Sequence, residues 1–148
     1  GRGEFTVGLA REYPQSNFIG VDIKGSRIWK GSTIAIQEGL DNVAFLRTQI
    51  QELDKYFDQG EISELWITFP DPFPREGDEK RRLTSGKFLD MYKPLIAKGG
   101  VVHFKTDNTG LFDYSLELLK SRQDVELLLF TNDFYQSPYR DEHHGIQT

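Results

Sequence analysis

The feature that most constrains the fold is a regular alternation of short apolar runs with longer amphipathic segments. The apolar runs that predict strands lie at 17–23, 42–48, 63–69, 101–106 and 125–130. Helices are predicted before Pro14, at 26–40, 51–57 and 109–121, and from residue 84 or 85 onwards. Strands that alternate with helices over short connections pair in parallel, with right-handed crossovers. The sequence therefore predicts an α/β fold with a doubly wound, mostly parallel sheet.

Local signals predict where these elements begin and end. The residues expected to cap helices at their N-termini are Ser26, Thr84 and Ser85. The residues expected to end or interrupt helices are Gly39, Pro94 and the pair Gly99-Gly100. The chain also opens on Gly1-Arg2-Gly3 directly before a helical pattern, whereas such a turn normally follows a strand. We therefore expect 1–148 to be a single domain truncated at both ends, with its first strand missing.

Composition narrows the class of protein. A chain of 148 residues suits one domain with its own core. It has no cysteine, no bilayer-length apolar run and no basic-then-apolar leader, which fits a cytoplasmic protein without a membrane segment. The three histidines, His103 and the pair His143-His144, do not have the spacing of metal ligands, so no metal is expected. A net charge of −5 argues against a protein that coats nucleic acid by bulk electrostatics.

Residues suited to ligand binding recur at the carboxyl ends of the predicted strands, where parallel sheets bind ligands. These residues are Gly1 and Gly3 at the opening turn, then Asp22, Gln49, Asp71 and Asp107. Gly1 and Gly3 let a backbone approach a ligand closely and present free amides at a helix start. Asp22 follows at about the twenty-residue spacing at which a carboxylate accepts hydrogen bonds from a ribose. Together they predict a ribose-containing cofactor, either a nicotinamide dinucleotide or S-adenosylmethionine.

The stretch LWITFPDPFPREGDEKRRLTS, residues 65–85, carries the most unusual chemistry. Pro70 and Pro72 fix the backbone on both sides of Asp71, so that its carboxylate has little conformational freedom. Phe73 offers a flat face on which a base could stack. A group-transfer enzyme needs such a rigid loop beside its cofactor, whereas a dehydrogenase does not. The alternative interpretation is a solvent-exposed proline turn.

The segment that follows the proline corner is locally basic in an acidic chain. Its cations are Arg75, Lys80, Arg81, Arg82 and Lys87, set against Glu76, Asp78 and Glu79. Phosphate contacts from such a cluster position a nucleic acid without reading its sequence. The alternative interpretation is structural, with Arg81 and Arg82 paired to the neighbouring carboxylates.

These motifs resemble the bacterial tRNA (guanine-N7-)-methyltransferase family. The segments FPDPFPREGDEKRRLTSGKFL and GGVVHFKTDNTGLFDYSLELL carry the resemblance, and GRGEFTVGLA, FIGVDI and the final Thr148 fit in order. The resemblance implies a Rossmann-like fold, S-adenosylmethionine as cofactor and tRNA as partner. It also implies that Gly1, Gly3 and Asp22 bind the cofactor, and that Asp71 is catalytic and near it.

The same resemblance assigns substrate positions and shows two departures. Arg75 and Asp107 match substrate-binding positions, and Thr148 matches the first residue of a Thr-x-x-Glu substrate motif. Gln49 is expected to bind the cofactor, although it stands where the family often has an Asp that contacts adenine. Phe73 stands where Trp is usual, which keeps the ring but removes an N–H donor.

Guanine N7 carries a lone pair and no proton, so its methylation needs positioning more than a base. Asp71 is expected to accept hydrogen bonds from the guanine edge, while Arg75, Lys80, Arg81 and Arg82 bind phosphates. Two alternatives remain open. One is an amino-group methyltransferase that acts on another nucleic acid or on a protein; the other is a non-catalytic nucleotide-binding module.

Overall fold

A computed structural model describes residues 3–128 of the chain. It divides them between two compact units, one within Gly1–Ile50 and the other within Gln51–Leu129. Each unit contains one two-stranded parallel sheet. The parallel α/β character expected from the alternation of strands and helices is therefore confirmed.

The first unit has the order helix, strand, helix, strand. Its elements are α1 (Glu4–Glu12), β1 (Phe18–Asp22), α2 (Gly25–Gln37) and β2 (Val43–Arg47). The two strands pair in parallel from Phe18 opposite Val43 to Asp22 opposite Arg47. The core of the unit is built largely by α1, whose buried side chains include Phe5, Val7, Leu9 and Ala10. Gly39 adopts a φ of 65° just beyond α2, as expected of a glycine that ends a helix.

The buried side chain of Asn42 holds the end of α1 against the start of β2. Its amide nitrogen Nδ2 donates to the carbonyl oxygens of Ala10, Tyr13 and Ser16 at 3.0, 3.1 and 2.9 Å. The Ala10 carbonyl lies in the last turn of α1, where the helix supplies no partner. The Tyr13 and Ser16 carbonyls lie in the loop that follows, and Tyr13 also accepts the backbone N–H of Ser16. One side chain thus satisfies the acceptors of a helix end and its exit loop.

The second unit is built around β3 and β4. Its strands and helices are β3 (Ile62–Thr68), α3 (Gly86–Tyr92), β4 (Ile96–Lys105) and α4 (Thr109–Ser121). Short 3₁₀ helices occur at Ile50–Lys55, which runs into this unit, and at Glu76–Arg81 and Lys93–Leu95. The strands pair in parallel up to Thr68 opposite Lys105. The buried apolar side chains of the unit are Leu53, Ile67, Phe88, Leu89, Tyr92, Leu95 and Leu111.

Several predicted details of the helices are confirmed, but the predicted capping by the hydroxyls of Ser26 and Ser85 is wrong. Helix α4 has the predicted bounds, and α3 stops at Tyr92 with Pro94 inside the 3₁₀ turn that follows it. Ser85 occupies the N-cap position of α3, although its hydroxyl bonds to the carbonyl of Lys80 instead of capping the helix. Ser26, in contrast, lies inside α2, whose N-cap is Lys24. The capping prediction for Ser26 fails because the helix begins before it.

The sequence predicted that Gly99 and Gly100 end a helix before the next strand. Both residues instead lie inside β4. The register with β3 shifts between Ile62 and Glu64, and Gly99 has a φ of 79°. The pair therefore forms an irregularity that lets β4 begin at Ile96 and still align with β3. A glycine pair in a strand serves this purpose as readily as it ends an element.

The strand predicted at 125–130 is not formed over residues 125–128, and its last two residues lie outside the described part of the chain. Val125 and Leu128 expose 38% and 69% of their surface. Their β-type composition predicted a strand, but a strand also needs a hydrogen-bonding neighbour. Within residues 3–128, every helix is too short or too polar to cross a lipid bilayer.

Candidate functional site

Gly3 begins α1 in a conformation and a space that suit glycine alone. Its φ is 89°, and a Cβ built on it would lie 2.9 Å from the Cα of Gly31 in α2. The ring of Phe45 fills the neighbouring space and lies against Gly20 and Gly31 as well. Packing against helix α2 and Phe45 therefore requires glycine at this position, and the predicted approach of its backbone to a ligand stays a prediction.

Asp22 ends β1 with its carboxylate partly exposed. Oδ1 accepts a hydrogen bond from the backbone N–H of Lys24 at 2.9 Å, and Oδ2 lies 3.5 Å from the guanidinium of Arg27. Asp22 therefore orders the start of α2, a role predicted from the sequence for Ser26. Gln49 follows β2, whose end is joined to β1 by the hydrogen bond from Thr48 N–H to the Asp22 carbonyl. Asp22 and Gln49 thus lie at the ends of neighbouring strands.

Asp71 lies in the second unit, at a corner that follows β3. We define the Asp71 corner as Phe69–Pro70–Asp71–Pro72–Phe73. Asp71 is exposed, and the two aromatic residues that flank it have φ values of 49° and 41°. Residues other than glycine rarely adopt this left-handed region. A residue before proline, as Phe69 and Phe73 both are, normally has an extended backbone. The corner is therefore strained on both sides of the carboxylate, which is typical of functional loops.

Each aromatic residue of the corner lies beneath a cation. The backbone carbonyl of Lys105, at the end of β4, accepts a hydrogen bond from the backbone N–H of Phe69 at 2.8 Å. The ammonium of Lys105 lies 5.5 Å from the ring centroid of Phe69. The guanidinium of Arg81 lies 4.7 Å from the ring centroid of Phe73. Such a contact contributes roughly 0.5–1 kcal/mol where the cation is exposed, as Arg81 is, and about 2 kcal/mol where it is buried, as Lys105 is. One face of the Phe73 ring, predicted to stack on a base, is thus covered by Arg81.

Asp107 follows β4 at the same edge of the sheet as Asp71. The two strands are parallel and aligned at Thr68 and Lys105, so the residues after them leave the sheet side by side. Asn108 next caps α4, since its side-chain oxygen accepts the N–H of Leu111 at 2.8 Å. Asp107 is left exposed at the start of this helix. Two carboxylates therefore share one sheet edge in the second unit.

The cations that follow the Asp71 corner differ in their contacts. Arg75 and Lys80 are exposed. Arg81 lies 3.7 Å from the carboxylate of Asp78, as the structural interpretation expected. Arg82 is instead directed at the Asp71 corner, where it donates to the carbonyls of Pro72 and Phe73. The partners predicted for Arg82, the neighbouring carboxylates, are not those that it contacts in these hydrogen bonds.

The structure places the predicted residues in two sets. Gly3, Asp22 and Gln49 lie in the first unit, and Asp71, Arg75, Lys80, Arg81, Arg82 and Asp107 lie in the second. Gly1 and Thr148 fall outside the described residues. Sequence reasoning missed Tyr114 and Lys105, which contact the corner and its cations from α4 and β4. Neither carries a local signal, because their roles depend on tertiary packing. No cluster of metal-ligating side chains occurs in residues 3–128.

Comparison with known proteins gives the class to which this fold and site belong. A family model described as "Putative methyltransferase" matches residues 1–148, and the chain belongs to this family. The chain is 52% identical to the tRNA (guanine-N(7)-)-methyltransferase of Cytophaga hutchinsonii, over 100% of its own length and 67% of that protein. The proteins of the same name from Christiangramia forsetii and Porphyromonas gingivalis are 48% and 49% identical, with 66% and 60% of their lengths covered.

These matches confirm the resemblance drawn from the sequence motifs. The chain spans between 60% and 67% of the length of these three relatives. Membership of a methyltransferase family implies a methyl donor.

Proposed function

We propose that this chain is the methyltransferase part of an S-adenosylmethionine-dependent enzyme that methylates guanine N7 in tRNA. The observation that carries the proposal is the Asp71 corner, where two prolines and two left-handed aromatic residues fix a carboxylate beyond a strand end. The names of the relatives supply the substrate class. A doubly wound, Rossmann-like sheet is part of the proposal, and the two parallel strand pairs are compatible with it.

The first unit supplies groups that suit the cofactor. Gly3 offers a left-handed backbone at the start of α1, and Asp22 offers a partly exposed carboxylate at the end of β1. Carboxylate oxygens accept hydrogen bonds from ribose hydroxyls, and helix-start amides favour anionic groups. Gly1 and Gln49 complete the proposed cofactor set. When bound, S-adenosylmethionine would supply a methyl group on a positively charged sulfur, and the sulfur would leave as a neutral thioether when its bond to the methyl carbon breaks.

Asp71 acts on the guanine. Its carboxylate accepts hydrogen bonds from the N1–H and the amino group of the base, which orients N7. It also offsets the positive charge that develops on the ring as the N7–carbon bond forms. N7 has no proton to lose, so Asp71 need not serve as a base. Alignment of the two reactants contributes roughly 7–11 kcal/mol to catalysis of such bimolecular reactions.

The remaining predicted residues bind the RNA. Arg75 and Lys80 are exposed and are proposed to contact phosphates, as is Arg81 on the basis of the sequence. Arg82, for which the sequence predicted the same role, is directed at the Asp71 corner instead. Asp107 is proposed to bind the substrate nucleotide from the same sheet edge as Asp71. Thr148 completes the proposed substrate set.

The proposal is tested by single-turnover methylation of tRNA with the full-length enzyme, followed by digestion and identification of the methylated nucleoside. Asp71→Asn preserves size and polarity but removes the charge. We expect a rate loss of about a hundredfold to a thousandfold, because one preorganised electrostatic partner is removed. The matched control is Asp58→Asn, the same change at an exposed residue that precedes β3. It should leave the rate unchanged.

The outcomes separate the proposal from its alternatives. A methyl group on an exocyclic amine would indicate the amino-group methyltransferase, and donor binding without turnover on any RNA would indicate a binding module. Wild-type rates in Asp71→Asn would remove the catalytic role of Asp71 while leaving the reaction class intact.

A further inference from the structure

The side chain of Arg82 contacts the Asp71 corner through hydrogen bonds to its backbone. Its Nε donates to the carbonyl oxygens of Pro72 and Phe73 at 3.1 Å each, and its Nη2 donates to Phe73 at 3.0 Å. The planar fork of a guanidinium matches two converging acceptors in a way that the single ammonium of lysine does not. The carbonyl that receives both bonds belongs to Phe73, whose φ is 41°. Arg82 therefore contacts the strained peptide that follows Asp71 and Pro72.

Arg82 is itself supported by α4. Its guanidinium lies 4.5 Å from the ring centroid of Tyr114, a half-buried residue of that helix. Burial, followed by the charge of Glu79 and a hydrogen bond to it, raises the pKa of Tyr114. The ring therefore remains a neutral phenol and offers an electron-rich face to the cation. The corner, Arg82 and Tyr114 form a continuous chain of contacts that ends on a regular helix.

We infer that Arg82 is a positioning residue that holds the Asp71 corner in shape, and that it does not act as a phosphate contact. The inference rests on the proposed role of Asp71 in guanine methylation. Two of the three guanidinium nitrogens are committed to the corner, and the cation packs on Tyr114. The neighbouring Lys80 is exposed and remains able to reach a phosphate. The basic cluster thus combines a loop clamp with an RNA contact.

Arg82→Lys separates the two roles because it keeps the positive charge and removes the fork. For a clamp, the single-turnover rate at saturating tRNA should fall about tenfold to a hundredfold, since misplacement by roughly 1 Å has effects of this size. The Kd for tRNA should change little, and its salt dependence should stay the same. If Arg82 binds a phosphate instead, Arg82→Lys should keep both the rate and the affinity for tRNA of the wild type. Arg82→Ala should then reduce the slope of log K against log salt by about 0.9.

A second pair of variants tests the support from α4. Tyr114→Leu removes the ring beneath Arg82 and, like Arg82→Lys, should lower the single-turnover rate at saturating tRNA. Tyr114→Phe keeps the ring and should have a smaller effect on this rate. Binding of S-adenosylmethionine by each variant shows that the protein is folded. Wild-type saturated rates in Arg82→Lys and Tyr114→Leu would overturn the inference. If wild-type enzyme does not methylate guanine N7, the proposed function fails; if Asp71→Asn is slow and Arg82→Lys is not, only the clamp fails.

Discussion

At the scale of single residues, the backbone of Phe69 and Phe73 shows how the Asp71 corner departs from local conformational preference. Each left-handed residue of this kind costs about 1–3 kcal/mol. Contacts from elsewhere in the second unit offset this cost, namely the Lys105 carbonyl at Phe69 and the Arg82 guanidinium at Phe73. The sequence predicted the fixed surroundings of Asp71 because proline limits φ by its own ring. It did not predict the left-handed aromatics, because distant residues impose them.

Gly3 offers a prediction about stability at the same scale. Gly3→Ala should destabilise the chain by more than the roughly 1–2 kcal/mol that a left-handed alanine costs, because its Cβ would meet the backbone of Gly31 at 2.9 Å. Backbone atoms of a packed helix cannot move aside cheaply. Urea unfolding followed by circular dichroism measures the loss.

Gly39→Ala is the matched control for Gly3→Ala. Gly39 also has a left-handed φ, 65°, yet a Cβ there would meet nothing within 4 Å. It therefore isolates the conformational cost from the packing cost within the same unit. Equal losses in the two variants would show that the contact with Gly31 contributes nothing.

At the scale of elements, the alternation of strands and helices was predictable because it depends on local periodicity and on short connections. The bounds of α4 and the stop of α3 before Pro94 followed from local chemistry in the same way. The position of Gly99-Gly100 inside β4 did not, because it depends on the register with β3. The strand at 125–130 failed over its described part because β-type composition does not supply a neighbouring strand.

The hydrogen bonds of Asn42 join several elements of the first unit, and their loss is a prediction at this scale. Asn42→Ala leaves the carbonyls of Ala10, Tyr13 and Ser16 without this donor. We expect a loss of about 1–3 kcal/mol in the free energy of unfolding, as for other buried polar groups deprived of a partner. Asn42→Asp should be worse, because it faces the same carbonyls with an acceptor. Urea unfolding of both variants measures the effect.

The control for Asn42 is Asn17→Ala, the same change at an exposed residue just before β1. It should alter the unfolding free energy by less than about 0.5 kcal/mol, as is usual for surface substitutions. Similar losses at the two positions would mean that the three carbonyls are satisfied without Asn42. In that case the end of α1 would be held by its packing alone.

At the scale of the whole molecule, the net charge of −5 sets a condition on any binding to tRNA. The summed charge of these 148 residues repels a polyanion, so attraction from this part of the enzyme must come from a few cations placed where the RNA lies. The exposed residues Arg75 and Lys80 beside the Asp71 corner meet this condition, whereas Arg82 is engaged by the corner itself. Such binding should depend on salt through a small number of contacts.

The salt dependence of tRNA binding measures the number of those contacts in the full-length enzyme. Arg75→Ala and Lys80→Ala should each reduce the slope of log K against log salt by up to about 0.9, because each removes one phosphate contact and the counterion it releases. Lys98→Ala is the matched control, since it also removes one exposed positive charge but lies near the amino end of β4, away from the edge that carries Asp107. Binding of labelled tRNA over a salt series gives the three slopes. If Lys98→Ala flattens the slope as much as Lys80→Ala does, tRNA responds to total charge instead of to a placed contact, and the phosphate role of Lys80 is lost.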